Sequence, residues 1–138
     1  MPGQIAYLDY ARNELVNGRP NSPIIVLASV AQTLTQTQPD QDNPDCRGIA
    51  VILDMTVVGT GSVTLEIDGK DPASGKYVAL LTGAAVITNS TNVYRIYPGL
   101  TAAANAVASD VLWRTWRIKV TANNANAATY SVGAILLR

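Results

Sequence analysis

Several short runs of this sequence alternate strictly between apolar and polar residues, and this period of two constrains the fold more than any other feature. In residues 62–69 every second position is apolar, namely Val63, Leu65 and Ile67. The same holds in residues 115–122 for Trp116, Ile118 and Val120. Because successive side chains of a β-strand point to opposite faces, the pattern predicts strands with one buried and one exposed face. Trp116 is therefore expected to face the core.

Further runs have the length and the β-branched composition of strands. They are residues 24–34, 49–58, 76–81, 84–88, 92–97 and 129–137. Turn-forming residues between positions 69 and 75 predict a hairpin, and the runs 49–58, 62–69 and 76–81 are expected to form a meander. The run 129–137 is apolar on both sides, which predicts a central or covered strand. The Ala-rich segment 100–112 fits either one short helix or a long ordered loop.

The number and spacing of these runs predict the fold class. About eight short strands that do not alternate with long helices are typical of an all-β fold, either an antiparallel β-sandwich or a jelly-roll-like barrel. The 138 residues fit one domain, for which we expect residues 24–138. Residues 1–23 are punctuated by Pro20 and Pro23 and are expected to form an extended N-terminal arm.

The charge composition argues against nucleic-acid, membrane and enzyme functions. Ten Lys and Arg balance ten Asp and Glu, so no basic field would attract nucleic acid or an anionic membrane. There is no His, which removes the commonest general base and metal ligand. The one cysteine, Cys46, cannot form an internal disulfide and lacks the His that usually activates a Cys nucleophile. We therefore expect no enzyme activity and no cofactor, and the charged fraction of 14% favours a surface that packs against neighbours.

A polar loop over residues 35–47 contains three aspartates, Asp40, Asp42 and Asp45. Carboxylate oxygens of such loops are the ligands that Ca²⁺ prefers. The loop lacks the central Gly and the closing Glu of an EF-hand loop. A solvated acidic loop is therefore the favoured interpretation, and a cation site is the alternative.

Aromatic and Arg side chains occur together in two stretches and form a candidate interface, which comprises Tyr94, Arg95, Tyr97, Trp113, Arg114 and Arg117. Side chains of these types anchor many protein interfaces, and a guanidinium can stack on an indole. The cluster could serve as a subunit contact or as a carbohydrate-binding platform. In the alternative interpretation, Trp116 belongs to the core and Trp113 caps it.

Five short motifs, in order along the chain, resemble those of a known family. They are SVTLEIDGKDP at 62–72, SGKY at 74–77, LLTGA at 80–84, YPGLT at 97–101 and RTWR at 114–117. Over residues 49–137 the chain is similar to small virion structural proteins of tailed bacteriophages. None of the motifs is a catalytic signature.

The resemblance implies a head decoration (cement) protein, which binds the major capsid protein on the outer surface of the phage head and stabilises its lattice. It also implies a homo-oligomer, with a trimer favoured, and a location in the virion after synthesis in the host cytoplasm. Two alternatives remain open: a tail or neck structural protein, and a virion module that binds a glycan or a receptor.

Overall fold

The structure, a computed structural model, describes residues 22–138 and two short N-terminal strands. These strands, β1 (Leu8–Asp9) and β2 (Glu14–Leu15), pair with each other in antiparallel orientation. Apart from them and the first two residues of the next strand, the arm expected over residues 1–23 lies outside the described residues. The first described strand of the two large sheets begins at Ser22, and the domain start at residue 24 stays a prediction.

Ten further strands form two five-stranded sheets. They are β3 (Ser22–Gln32), β4 (Gln36–Thr37), β5 (Gln41–Asp42), β6 (Gly48–Val57), β7 (Val63–Lys70), β8 (Tyr77–Thr82), β9 (Ser90–Ile96), β10 (Val107–Ala108), β11 (Thr115–Ala122) and β12 (Ala128–Leu137). Sheet 1 has the order β10-β9-β6-β12-β3. Sheet 2 has the order β4-β11-β7-β8, and β5 pairs with β11 along the same edge as β4. Every pair is antiparallel except β10 with β9.

The two sheets pack as an open sandwich, so the predicted all-β antiparallel fold is confirmed in its sandwich form. Its core consists of the inward residues of the alternating runs. In β12 every second residue is buried, and in β11 Trp116 is fully buried, as the alternation predicts. The run 129–137 is central, as expected, because β12 lies between β6 and β3. Among the described residues, no helix could cross a membrane.

The predicted meander of three strands is wrong. Only β7 and β8 form the expected hairpin, whereas β6 belongs to the other sheet. The chain passes from sheet 1 to sheet 2 between Val57 and Val63, where Gly59 adopts a positive φ of 53°. An apolar run indicates that a strand is buried, but not which sheet buries it.

Residues 84–88 differ from the prediction, and residues 100–112 adopt one of the two forms predicted for them. Residues 84–88 form no strand, because this stretch returns the chain from β8 in sheet 2 to β9 in sheet 1 and pairs only through a bridge between Val86 and Val63. The segment 100–112 is an ordered loop and not a helix. It contains β10 and a left-handed Asn105 with φ 63°.

Candidate functional site

The outward surfaces of the two sheets differ in chemical character, and together they form the candidate functional surface. We call the outer surface of sheet 1 the apolar face and the outer surface of sheet 2 the charged face. The pairing registers show which side chains are neighbours on each face. In the described part of the chain, each outer face points away from the opposite sheet.

A row of four residues crosses the apolar face from β3 to β9. It consists of Ile25, Gly133, Ile52 and Val93, which are in register across four adjacent strands. We call it the central row. Ile25 is 83% exposed and Val93 is 36% exposed. The adjacent row contains Pro23, Ile135, Ala50 and Arg95. The face therefore presents a contiguous apolar surface, a typical feature of protein interaction sites.

Only two charged side chains occupy outward positions on the five strands of sheet 1, namely Asp54 and Arg95. Asp54 Oδ1 accepts a hydrogen bond of 2.9 Å from the Thr91 hydroxyl. Arg95 is exposed, and its guanidinium has no ion pair with any residue that the structure describes. The apolar face therefore has one acid and one base, on opposite sides of the central row.

Tyr97 closes one end of the apolar face. Its ring lies over Gly48, where an added Cβ would be 2.6 Å from Cδ1 of the ring. The Tyr97 hydroxyl donates a 2.6 Å hydrogen bond to the carbonyl oxygen of Arg138. A side chain at position 48 would collide with this ring and with the carbonyl oxygen of Ile96, so the position requires glycine.

The charged face is built around Arg117 of β11. Its Nε donates a 3.1 Å hydrogen bond to Asp68 Oδ2, and its guanidinium lies 3.4 Å from the centre of the Tyr77 ring. The Tyr77 hydroxyl donates a 2.6 Å hydrogen bond to Asp40 Oδ1, and Lys70 Nζ donates a 3.0 Å hydrogen bond to Asp40 Oδ2. These side chains form one network of ion pairs and a cation–π contact, so their polar groups are already engaged within the molecule.

Two carboxyl groups of the charged face interact with each other. Glu66 and Asp68 lie two residues apart on the same face of β7, and Asp68 is only 1% exposed. Asp68 Oδ1 accepts no hydrogen bond from any described donor. The hydrogen bond with Asp68, followed by burial and the negative charge of Asp68, raises the pKa of Glu66 to about 7, although Lys119 and Arg117 oppose this shift. Because this pKa is close to 7, Glu66 carries a proton in only part of the molecules at neutral pH.

The three aspartates of the polar loop are directed to three different cations. Asp40 pairs with Lys70, Asp42 accepts a 2.7 Å hydrogen bond from Arg114 Nε, and Asp45 pairs with Arg138. In residues 22–138 no group of three or more acidic or sulfur side chains could hold a metal ion. The loop thus ties β4 and β5 to the rest of the sandwich through ion pairs.

The structure does not bring the six residues of the candidate interface together. Tyr94 is 4% exposed and faces the core of the single chain. Trp113 is half-buried and packs over Gly69, where an added Cβ would lie 2.5 Å from the indole ring. This position agrees with the interpretation in which Trp113 caps the core beside Trp116.

The other four candidates lie on separate surfaces. Arg95 and Tyr97 are on the apolar face, Arg117 is on the charged face, and Arg114 is exposed beside Asp42. Sequence reasoning missed the apolar face itself. A signal was present, since residues 49–58 are nearly all aliphatic and residues 129–137 are apolar on both sides.

Comparison of the chain with protein-family models and with curated proteins finds no match. Inference about function therefore depends on the chemistry of the two faces and on the motifs of the sequence. On the apolar face the structure offers a surface suited to contact with protein. On the charged face most of the charged side chains are already paired with one another.

Proposed function

We propose that this chain is a virion structural protein of a tailed bacteriophage, which decorates the outer surface of the head and stabilises the lattice of the major capsid protein. The observation that carries the proposal is the apolar face, an exposed surface with two charged groups across five strands. The centres of protein interfaces are depleted in charge in the same way.

A second structural feature supports a role in assembly. Strand β3 is 11 residues long, carries no charged residue and forms an edge of sheet 1. No strand that the structure describes pairs with its outer side. Soluble monomers usually protect such an edge with charges or keep it short, whereas an unprotected edge can accept a strand from a partner. The bulges in the pairing of β3 with β12 bend this edge but add no charge.

The assignment to a phage head depends on the resemblance of residues 49–137. A decoration protein is present in many copies and contacts both its own neighbours and the shell, so it needs more than one contact surface. The apolar face and the β3 edge are two such surfaces on one small sandwich. Both features would also suit a tail or neck protein, which differs from a decoration protein in its position and copy number.

Labelling of purified virions tests the proposal. Virions of the source phage are probed with gold-conjugated antibody raised against this chain, and the label is located by electron microscopy. Dense labelling over the head supports decoration. Label confined to the tail or its tip contradicts the proposal in favour of a tail protein or a receptor-binding module, and unlabelled particles contradict a virion role.

A loss-of-function experiment tests the stabilising role separately. Heads assembled without this chain should release their DNA at lower temperature and after milder osmotic shock than complete heads. Adding the purified protein back should restore their resistance. Heads that survive equally well without it would contradict a stabilising role even if the protein is present on them.

A further inference from the structure

The two charges of the apolar face are placed symmetrically about the central row. Arg95 lies two residues from Val93 along β9, and Asp54 lies two residues from Ile52 along β6. Because β6 and β9 are antiparallel and Ile52 pairs with Val93, the two charges lie on opposite sides of the central row. Each is about 7 Å from that row, at the ordinary rise of a strand.

This arrangement is complementary to itself. A second copy is placed on the apolar face by a rotation of 180° about an axis that runs along the central row. This rotation exchanges the two sides of the row, so Arg95 of one copy lies opposite the row of residues that contains Asp54 in the other copy. The two residues are on adjacent strands, which are about 4.8 Å apart, a distance that the long arginine side chain can span. A rotation about an axis along the strands would instead place Arg95 opposite the same row of the other copy, whose far end at Pro23 has no charge.

We propose that two copies of this chain pack their apolar faces together around a two-fold axis along the central row. In this dimer, Arg95 of each copy pairs with Asp54 of the other. Sheets that pack face to face lie about 10 Å apart with interdigitating side chains, and here the apolar side chains of the central row form the centre of the contact. The strongly exposed Ile25 becomes buried, and Arg95 acquires the ion-pair partner that the described part of the single chain does not provide.

The second copy is favoured over an unrelated partner because the two charges match each other. A two-fold contact uses one surface twice, so an acid on one side of the axis requires a base on the other. The apolar face has one of each, and no other charge lies at an outward strand position of sheet 1. A trimer, which the resemblance implies, cannot be formed through this contact alone, since a two-fold interface closes on two copies.

Sedimentation equilibrium of the full chain over a range of concentrations tests the proposal. The wild-type protein should show a reversible monomer–dimer equilibrium. The variants Arg95→Asp and Asp54→Lys each bring like charges together twice, so each should raise the dimer dissociation constant by at least about tenfold. As a matched control, Lys76→Asp changes the charge of an exposed turn residue and should leave the constant unchanged.

An equimolar mixture of the two weakened variants, Arg95→Asp and Asp54→Lys, gives the sharpest result. In a mixed dimer, the aspartate introduced at position 95 of one copy faces the lysine introduced at position 54 of the other. At the second contact, the native Arg95 of one copy faces the native Asp54 of the other. Both contacts are then attractive, so mixing should restore dimers that neither variant forms alone. Restoration also shows that both variants are folded.

Three results would overturn the proposal. They are a wild-type chain that stays monomeric or forms only trimers, variants that dimerise as well as the wild type, and a mixture that forms no more dimer than its components. The proposed virion function would survive each of these results, because it is tested by the position of the protein on particles. Conversely, if virions are not labelled but the purified chain forms this dimer, the virion function is contradicted and the proposed two-fold contact stands.

Discussion

Replacing Glu66 with Gln should abolish most of a pH dependence of stability that the charged face creates. The hydrogen bond between Glu66 and Asp68, together with burial, raises the pKa of Glu66 from 4.5 to about 7 in the folded protein. The folded state thus retains a proton that the unfolded chain releases at lower pH. Stability from this group is fully present below pH 4.5 and is lost as the pH rises through about 7.

The size of the effect follows from the pKa displacement. The whole change from 4.5 to about 7 corresponds to about 3 kcal/mol of unfolding free energy. Glu66 lies on the outer side of the sheet with 23% of its side chain exposed, so screening by water reduces the expected loss between pH 5 and pH 8 to roughly 1 to 2 kcal/mol. The sequence has no His, so no imidazole titration overlaps this range.

Urea unfolding followed by tryptophan fluorescence at pH 5 and pH 8, at one fixed protein concentration, measures the loss. The wild type should be less stable at pH 8. Glu66→Gln keeps an N–H donor beside Asp68 and cannot ionise, so its stability should be nearly constant across this range. Asp110→Asn removes an exposed carboxylate elsewhere and should retain the wild-type pH dependence. A wild-type stability that stays level or rises with pH, or a Glu66→Gln variant with the wild-type dependence, would refute the reasoning.

Four further changes have clear expected outcomes, each measured by urea unfolding of the purified protein. Trp116→Ala empties a fully buried site and should lower the free energy of unfolding by about 3 to 5 kcal/mol. Trp113→Ala should lower it less, because Trp113 is half-buried. Equal, small losses for the two variants would contradict the core position of Trp116. Gly69→Ala places a Cβ 2.5 Å from the Trp113 ring. The variant should destabilise the folded protein by about 1 to 3 kcal/mol and shift its tryptophan emission. An unshifted emission would argue against this contact. Deleting residues 1–19 should leave a cooperatively folded sandwich, since every strand of the two large sheets begins at Ser22 or later; a truncated chain without a cooperative transition would show that the core needs this segment.

Most of the long strands were predictable because their signal is local. The alternation in residues 62–69 and 115–122 corresponds to β7 and β11, and the inward position of Trp116 followed from the period alone. The hairpin between β7 and β8 followed from its turn residues. In that turn, Asp71 accepts hydrogen bonds from the backbone N–H groups of Ala73 and Ser74, the turn role that an Asp commonly has.

The shortest strands were not predictable. Strands β4, β5 and β10 have two residues each. Strands β4 and β5 pair with β11, which is distant in sequence, and β10 pairs in parallel with the preceding strand β9. Two residues carry no periodicity, so the polar loop over residues 35–47 gave no sign that it would border sheet 2. In the run 84–88 the error is the reverse. Its composition is typical of a strand, but the segment connects β8 in one sheet to β9 in the other.

The candidate interface illustrates the limit of composition as a guide to a site. Tyr94 and Arg95 are adjacent in sequence, yet one lies in the core and the other on the apolar face. Aromatic and Arg residues predicted an interface by type, but the alternation of β9 sends neighbouring residues to opposite sides. Residue type alone therefore could not select the members of one surface.

The sequence by itself determined the fold class, the main strands and the inward or outward direction of their side chains, because these depend on contacts between residues close along the chain. The tertiary structure alone decided which strands share a sheet and which distant side chains meet. Tyr77 and Asp40 are joined by a hydrogen bond although 37 residues separate them. The central row likewise exists only because four strands pair in one register. The hydrophobic effect is not directional. A pattern of apolar residues therefore predicts which side chains are buried, and the packing of the whole chain decides which side chains they contact.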